Sequence, residues 1–168
     1  VPTNFLALCS KNLTDCAVKP KEHFAVNLWD GDSSDDHEIT TGFQPDLVDI
    51  KCRSNASHNF HGYDSLRGVG KRLKFGSGST AEQTYTDTMM AFTSTGFEVD
   101  DDASTEETNK TGKTYVGWSW KAGGAPTADN SASAGATPTT DSVKIDGVNK
   151  SDGLAGTIAA TRISANTT

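Results

Sequence analysis

Apolar and polar residues alternate in short blocks along the middle of this chain, and turn-forming clusters separate the blocks. In "HFAVNLWDG", residues 23–31, the side chains of Phe24, Val26 and Leu28 fall on one side of an extended strand. In "PDLVDIKCRS", residues 45–54, Val48, Ile50 and Cys52 share one face, and Leu47, Asp49 and Lys51 share the other. "HNFHGYDSLRG", "KRLKFG", "AFTSTGFEVD" and "TYVGWSWK" continue the series of strand-like blocks. Between them lie "DGDSSDDH", "RSNAS", "GSGST" and "DDDASTEETNKTGK", which are rich in Gly, Ser, Asn and Asp. One stretch, "TAEQTYTDTMMAF" at 80–92, is a helix candidate, and its threonines weaken it. Short strands at this spacing predict an all-β fold, a sandwich or a barrel.

The last block carries the most information. In "TYVGWSWK" the period of two puts Val116, Trp118 and Trp120 on one face and Tyr115, Gly117 and Ser119 on the other. The pattern predicts that Trp118 and Val116 pack in the core with Val48 and Ile50, where aromatic burial contributes roughly 25 cal/mol per Å². The alternative is a stacking platform for a sugar ring. Trp120, near the strand end, is the residue of that set expected to be partly exposed. Trp120, Tyr115 and Tyr63 are the candidate ligand-facing or interface aromatics.

Beyond Lys121 the pattern stops. "KAGGAPTADNSASAGATPTTD" has no aromatic residue and no Val, Ile or Leu. Such a segment buries too little apolar surface to offset its ordering entropy, so it reads as an extended linker. "SVKIDGV" and "GTIAATRISANTT" follow as short β-prone pieces, too small to fold alone. The expected organisation is an N-terminal extension at 1–22, a sandwich at 23–120, a linker at 121–141 and a β-prone tail, or the start of a further domain, at 142–168. A tail of this kind is expected to pair with a neighbouring subunit or another protein.

Composition narrows the function classes. The chain has 168 residues, 34% of them apolar, and a formal net charge of −7. That charge repels a phosphate backbone, so nucleic acid is not an expected partner. No apolar run reaches the length of a bilayer span, so membrane insertion is not expected. The chain begins at Val1, which suggests a processed or incomplete product. Cys9, Cys16 and Cys52 are too few and too irregular for a disulfide framework or a zinc knuckle. No cofactor is expected.

"DGDSSDDHE" gathers Asp30, Asp32, Asp35, Asp36 and Glu38. Dense carboxylates suit calcium, which takes six to eight oxygens. Yet Asp35 occupies the sixth loop position, where an EF-hand needs glycine, and the flanks are strands. Asp30, Asp32 and Asp35 are therefore a weak calcium candidate against a solvated hairpin loop. Asp64 and Arg67 in "YDSLRG" are read as fixing a turn at Gly68 rather than as a polar site. Five Asn-X-Ser/Thr triplets, at Asn12, Asn55, Asn109, Asn149 and Asn166, matter only in a secreted eukaryotic protein. No nucleophile elbow, phosphate loop or zinc-hydrolase helix is present in the sequence. Acidic residues cluster in loops, and Asp49 alone falls inside a strand, so a two-carboxylate glycosidase site is not apparent.

"TGFQPDLVDIKCRS", "YDSLRGVGKRL", "TSTGFEV" and "TYVGWSWKAGGAPT", in this order, resemble a domain that recurs in marine bacteriophage virion proteins, in tail fibres and other appendages. The resemblance covers roughly residues 18 to 126. It implies an antiparallel β-sandwich of jelly-roll or lectin-like, concanavalin A-like form, with no assigned activity and no catalytic residues to carry over. An aromatic residue, often Trp, is usual in that domain where this chain has Asp49. The tail resembles a segment that precedes a further domain, which implies a longer parent chain. The resulting expectation is a non-enzymatic structural or surface module of a phage virion, on the virion surface. Its expected partners are other virion proteins and further copies of itself. A carbohydrate-binding module for host surface glycan is the first alternative, and a glycan hydrolase the second.

Overall fold

A computed structural model describes residues 17–76, 80–101, 106–131, 137–151 and 160–167. Residues 1–16, with Cys9, Cys16 and Asn12, lie outside the described residues, as do 102–105 of the second acidic loop, 132–136 of the expected linker and 152–159 of the tail. Within the described residues the chain is all-β, with one short 3₁₀ turn at Pro20–Glu22. The strands are β1 (Phe24–Asp30), β2 (His37–Thr40), β3 (Leu47–Cys52), β4 (Phe60–Asp64), β5 (Lys71–Phe75) and β6 (Gln83–Thr84). They continue with β7 (Met89–Phe92), β8 (Gly96–Val99), β9 (Thr114–Trp120), β10 (Val143–Ile145), β11 (Val148–Asn149) and β12 (Ile163–Ala165). The helix candidate at 80–92 is instead β6 and β7. Its β-branched and aromatic content suits a strand, and Met89 fills the core.

Six strands form one sheet in the order β1-β9-β3-β4-β5-β6, and β2-β8-β7 form a second. The two sheets pack as a β-sandwich. The large sheet sends Trp29, Val48, Ile50, Cys52, Tyr63 and Tyr115 inward, and the small sheet answers with Ile39, Met89, Phe97 and Val99. Trp29 is the hub. Its ring stacks on Tyr115 with centroids 5.5 Å apart, meets Phe97 edge-on at 6.1 Å, and its Nε1 donates to Thr108 O at 3.0 Å. Gly117 makes room for it, since a Cβ there would lie 3.1 Å from Trp29 Cζ3.

The register corrects the face assigned to β9. Ile50 is opposite Gly117, Val48 opposite Ser119 and Cys52 opposite Tyr115. Residues directly opposite in a ladder point the same way. Tyr115, Gly117 and Ser119 therefore face the core with Val48 and Ile50, while Val116, Trp118 and Trp120 face outward, where Val116 is nonetheless buried as expected, Trp118 is half-buried and Trp120 is exposed. Val48 and Ile50 are fully buried as expected, but Trp118 is not packed with them. Alternation divides β9 into a face with both tryptophans and a face with the smaller Gly117 and Ser119, and bulk alone favours burying the first. The core instead uses the small ones, which leave space for Trp29.

The segment expected as an extended linker folds back. Thr127 N and Ala128 N donate to Asp141 O, and Asn130 N donates to Thr161 O. Strands β11-β10-β12 make a three-stranded sheet. Asp146 and Gly147, with φ of 51° and 81°, supply the left-handed pair that a two-residue hairpin between β10 and β11 needs.

A candidate binding face on the six-stranded sheet

The outer face of the large sheet is built by the residues that the register turns away from the core. On β1 these are Phe24, Val26 and Leu28, which lie opposite Trp120, Trp118 and Val116. On β3 they are Leu47, Asp49 and Lys51, and on β4 and β5 they include Phe60 and Phe75. Phe24, Val26, Leu28, Phe60, Phe75 and Trp120 are all substantially exposed. Phe24 and Trp120 form one tilted ring pair at 5.4 Å, and Phe60 and Trp118 form another at 5.8 Å. Such a set is unusual on a solvated sheet face, where polar residues normally alternate with the core positions.

Asp49 stands in the middle of this face. Its cross-strand neighbours are Trp118 on one side and Gly62 on the other. Phe75 lies across Gly62, so closely that a Cβ at 62 would sit 2.2 Å from its Cζ. The carboxylate is thus walled by aromatic surface. Its Oδ1 has no hydrogen-bond partner among the described residues, and burial pushes the carboxyl up to about 6. Lys51 does not neutralise it, because Lys51 Nζ donates to the carbonyls of Cys52, Asn55 and His58 and braces the β3–β4 loop.

At one end the face opens into a groove of about 510 Å³ lined by Leu47, Asp64, Leu66, Arg67, Trp120 and Ser164, among others. Arg67 Nε donates to Asp64 Oδ2 at 2.5 Å and Arg67 N donates to Asp64 Oδ1 at 2.8 Å. Gly68, at φ +94°, closes the turn. The Asp64–Arg67 pair thus fixes the turn and also edges the groove beside Trp120.

The structure separates the candidate ligand-facing aromatics. Trp120 is 40% exposed, on the outer face. Tyr115 and Tyr63 are fully buried core residues, a correction that follows for Tyr115 from the inverted facing of β9 and for Tyr63 from its place opposite Val48. The Tyr115 hydroxyl accepts from Lys110 N at 2.9 Å and donates to Glu106 O at 3.0 Å, so it pins the loop before β9.

Asp30, Asp32 and Asp35 are not gathered into a site. Asp30 is an exposed residue at the end of β1. Asp32 Oδ1 accepts from Ser34 N, Ser34 Oγ and Asn109 Nδ2, and Oδ2 lies 2.9 Å from His37 Nδ1. Those donors hold the Asp32 carboxyl well below the usual carboxylate range, led by the Ser34 amide. Asp35 faces Asp100 instead, whose carboxyl is raised by burial first and by Asp35 second among the raising causes. Among the described residues no group of three or more His, Cys, Asp or Glu side chains converges as metal ligands would.

A further polar constellation escaped sequence reading. Buried Arg72 ion-pairs with Glu107, and its guanidinium lies 4.0 Å from the Tyr85 ring centroid. Arg72 Nη2 also donates to Gln83 Oε1 at 2.8 Å. His61 Nε2 lies 3.3 Å from Glu107 Oε1, and Lys74 Nζ lies 3.7 Å from it. Burial, then Arg72 and Lys74, push His61 down to about 3. The cluster ties β4 and β5 to the segment before β9 from the inside of the sandwich. Its only trace in the sequence is the inward parity of His61, Arg72 and Lys74.

The family described as Domain of unknown function (DUF7483) matches residues 19–158. The chain belongs to this family. The match spans the whole sandwich with its outer face, the segment expected as a linker and much of the tail. No curated protein and no solved structure matches the chain.

Proposed function

We propose that this DUF7483 domain is a non-enzymatic assembly module that works through the outer face of its six-stranded sheet, as a fibre, appendage or decoration component on the surface of a phage virion. The observation that carries the assembly reading is the exposure of Phe24, Val26, Leu28, Phe60, Phe75 and Trp120 on one continuous sheet face. Covering such a face with protein releases water from apolar surface, and this is the main driving force of association. The virion context rests on the sequence motifs alone. The non-enzymatic reading is supported by the neighbours of Asp49, whose cross-strand partners are Trp118 and Gly62 and whose diagonal neighbour Asp64 is tied to Arg67, and by the engagement of Asp32 and Glu107 in internal contacts. The test is particle assembly with Phe60→Ser and Phe75→Ser together. We expect the doubly substituted protein to fold and to be lost from the particle. Normal incorporation would refute the reading.

The Trp120 groove favours one alternative, recognition of host surface glycan. An exposed indole beside a carboxylate–guanidinium pair offers a sugar both a stacking surface and hydrogen bonds. Titration with host polysaccharide, repeated on Trp120→Ala, separates the two readings. Saturable binding lost in Trp120→Ala would establish glycan recognition.

A further inference from the structure

Strand β1 is an end strand of the large sheet, and the parity of its hydrogen bonds shows what it offers outward. His23 O accepts from Lys121 N, and Gly31 N donates to Lys113 O. In an antiparallel ladder the hydrogen-bonded pairs recur at every second residue. The odd-numbered residues of β1 therefore spend their amides and carbonyls on β9. Those of Phe24, Val26, Leu28 and Asp30 point away from it. Among the described residues no strand pairs with that side. The same residues carry the exposed apolar side chains, at 41%, 51% and 64% for Phe24, Val26 and Leu28. A seven-residue edge that carries exposed apolar side chains and is unpaired among the described residues invites another strand.

We infer that the strand it takes is β1 of a second copy, running antiparallel across a two-fold axis at Val26 and joining the two large sheets edge to edge. The inference rests on the assembly reading above and names its partner. Charge selects this partner and this direction. The entry to β1 carries Lys19 and Lys21, and its exit carries exposed Asp30 and Asp32. Lys19 and Glu22 pair with each other, which leaves the entry a net charge of +1. The entry lies in the 3₁₀ turn Pro20–Glu22 rather than in the ladder. A two-fold antiparallel pair therefore brings its net positive charge near the acidic exit of the other copy, whereas a parallel pair would set Asp30 against Asp30. With Val26 on the axis, Phe24 of one copy lies opposite Leu28 of its partner, so the apolar positions close on one another. Every contact is made twice, as an isologous interface requires. The outer face then continues unbroken from one copy to the next.

The test is sedimentation and residue-resolved amide exchange on the 168-residue chain. We expect a dimer of twice 17.7 kDa at roughly tens of micromolar that dissociates on dilution, an affinity usual for a small edge interface. The Val26 and Leu28 amides should gain protection as concentration rises, while Ala25 and Asn27, bonded to β9, stay protected throughout. Val26→Pro removes an outward donor and leaves the β9 ladder intact, so it should weaken the dimer by about tenfold or more without loss of fold. Leu28→Lys is the second variant should proline disturb the strand, and it should weaken the dimer likewise. A wild-type monomer at those concentrations would overturn the inference, as would a dimer indifferent to both variants. So would protection of the Val26 and Leu28 amides at every concentration, because the edge would then be covered within the chain. If self-pairing fails while Phe60→Ser with Phe75→Ser still blocks particle assembly, the assembly reading stands and its partner is another protein.

Discussion

Asp49 sets a carboxylate against Trp118 and the Phe75 ring, in a place where its charged form is poorly solvated. Its folded value of about 6 lies above the ordinary 3.8, so between those values the folded state holds more protons than the unfolded state. Stability contributed by this residue therefore rises as pH falls from about 6 toward 4 and is lost at neutral pH. Asp49→Asn keeps the shape and removes the charge. It should stabilise the domain by about 1–2 kcal/mol near neutral pH, a figure reduced from the full shift because the side chain is only partly buried. The gain should vanish near the ordinary carboxylate value. His61 works in the opposite sense over the same range. Its folded value of about 3 lies below the ordinary 6.5, so the unfolded state takes the proton first and stability falls with pH. Urea midpoints of wild type and Asp49→Asn across this range separate the two effects. A pH-independent difference between the proteins would show that Asp49 is solvated as an ordinary surface carboxylate.

At the scale of elements, strand existence was legible and strand facing was not. The alternating blocks at β1, β3, β4, β5 and β9 each hold one strand, while "AFTSTGFEVD" spans the end of β7, a turn and β8. β2 was hidden behind the acidic loop, because "HEIT" is too short to display a period. The facing of β9 was misread because periodicity gives two faces but not which of them is covered. Bulk pointed to Trp118, while the deciding features were Gly117 and Ser119, small enough to receive Trp29 from the neighbouring strand. The candidate site was legible only as its end residue, Trp120. The rest of the face became visible once the register had placed Phe24, Phe60 and Phe75 beside it. The corrected facing predicts an order of stabilities. Trp29→Ala opens a cavity beside Tyr115 and Phe97 and should cost about 3–5 kcal/mol. Trp118→Ala removes a half-buried ring from the outer face and should cost about 1–2 kcal/mol. Denaturant melts of the two variants measure this directly, and a larger loss for Trp118→Ala would return that residue to the core.

At the scale of the whole molecule, the tail raises the question of what covers a small three-stranded sheet that has no core of its own. In the structure the answer is this chain. Asp46, buried at the end of the large sheet, accepts from Ser65 Oγ at 2.7 Å through Oδ1 and from Ala122 N and Gly124 N at 2.8 Å and 3.1 Å through Oδ2. That carboxylate fixes the turn leaving β9. Gly123, in the turn, donates to Ser164 Oγ at 2.8 Å, and its carbonyl accepts from Gly147 N at 3.0 Å. Arg162 Nη1 donates to Leu66 O at 3.1 Å, and Asn166 Nδ2 lies 2.9 Å from His23 Nδ1. Val143 and Ser142 are buried by this docking. The tail was expected to need a neighbouring subunit because its strands are too short to stand alone. The contacts through Asp46 and Gly123 supply the cover within one chain instead. The amides of Gly147, Lys150 and Ile163, bonded to Gly123, Val143 and Ser142, should therefore exchange slowly, and at a rate independent of protein concentration. Asp46→Ala leaves the Ala122 and Gly124 amides without their acceptor and should release the tail. Those three amides should then exchange at least about tenfold faster, while Ile50 and Tyr115 in the sandwich keep their protection. If the tail amides of the dilute wild-type chain exchanged as fast as those of Asp46→Ala, the docking would not exist in the monomer. The tail would then be left to pair with a second chain.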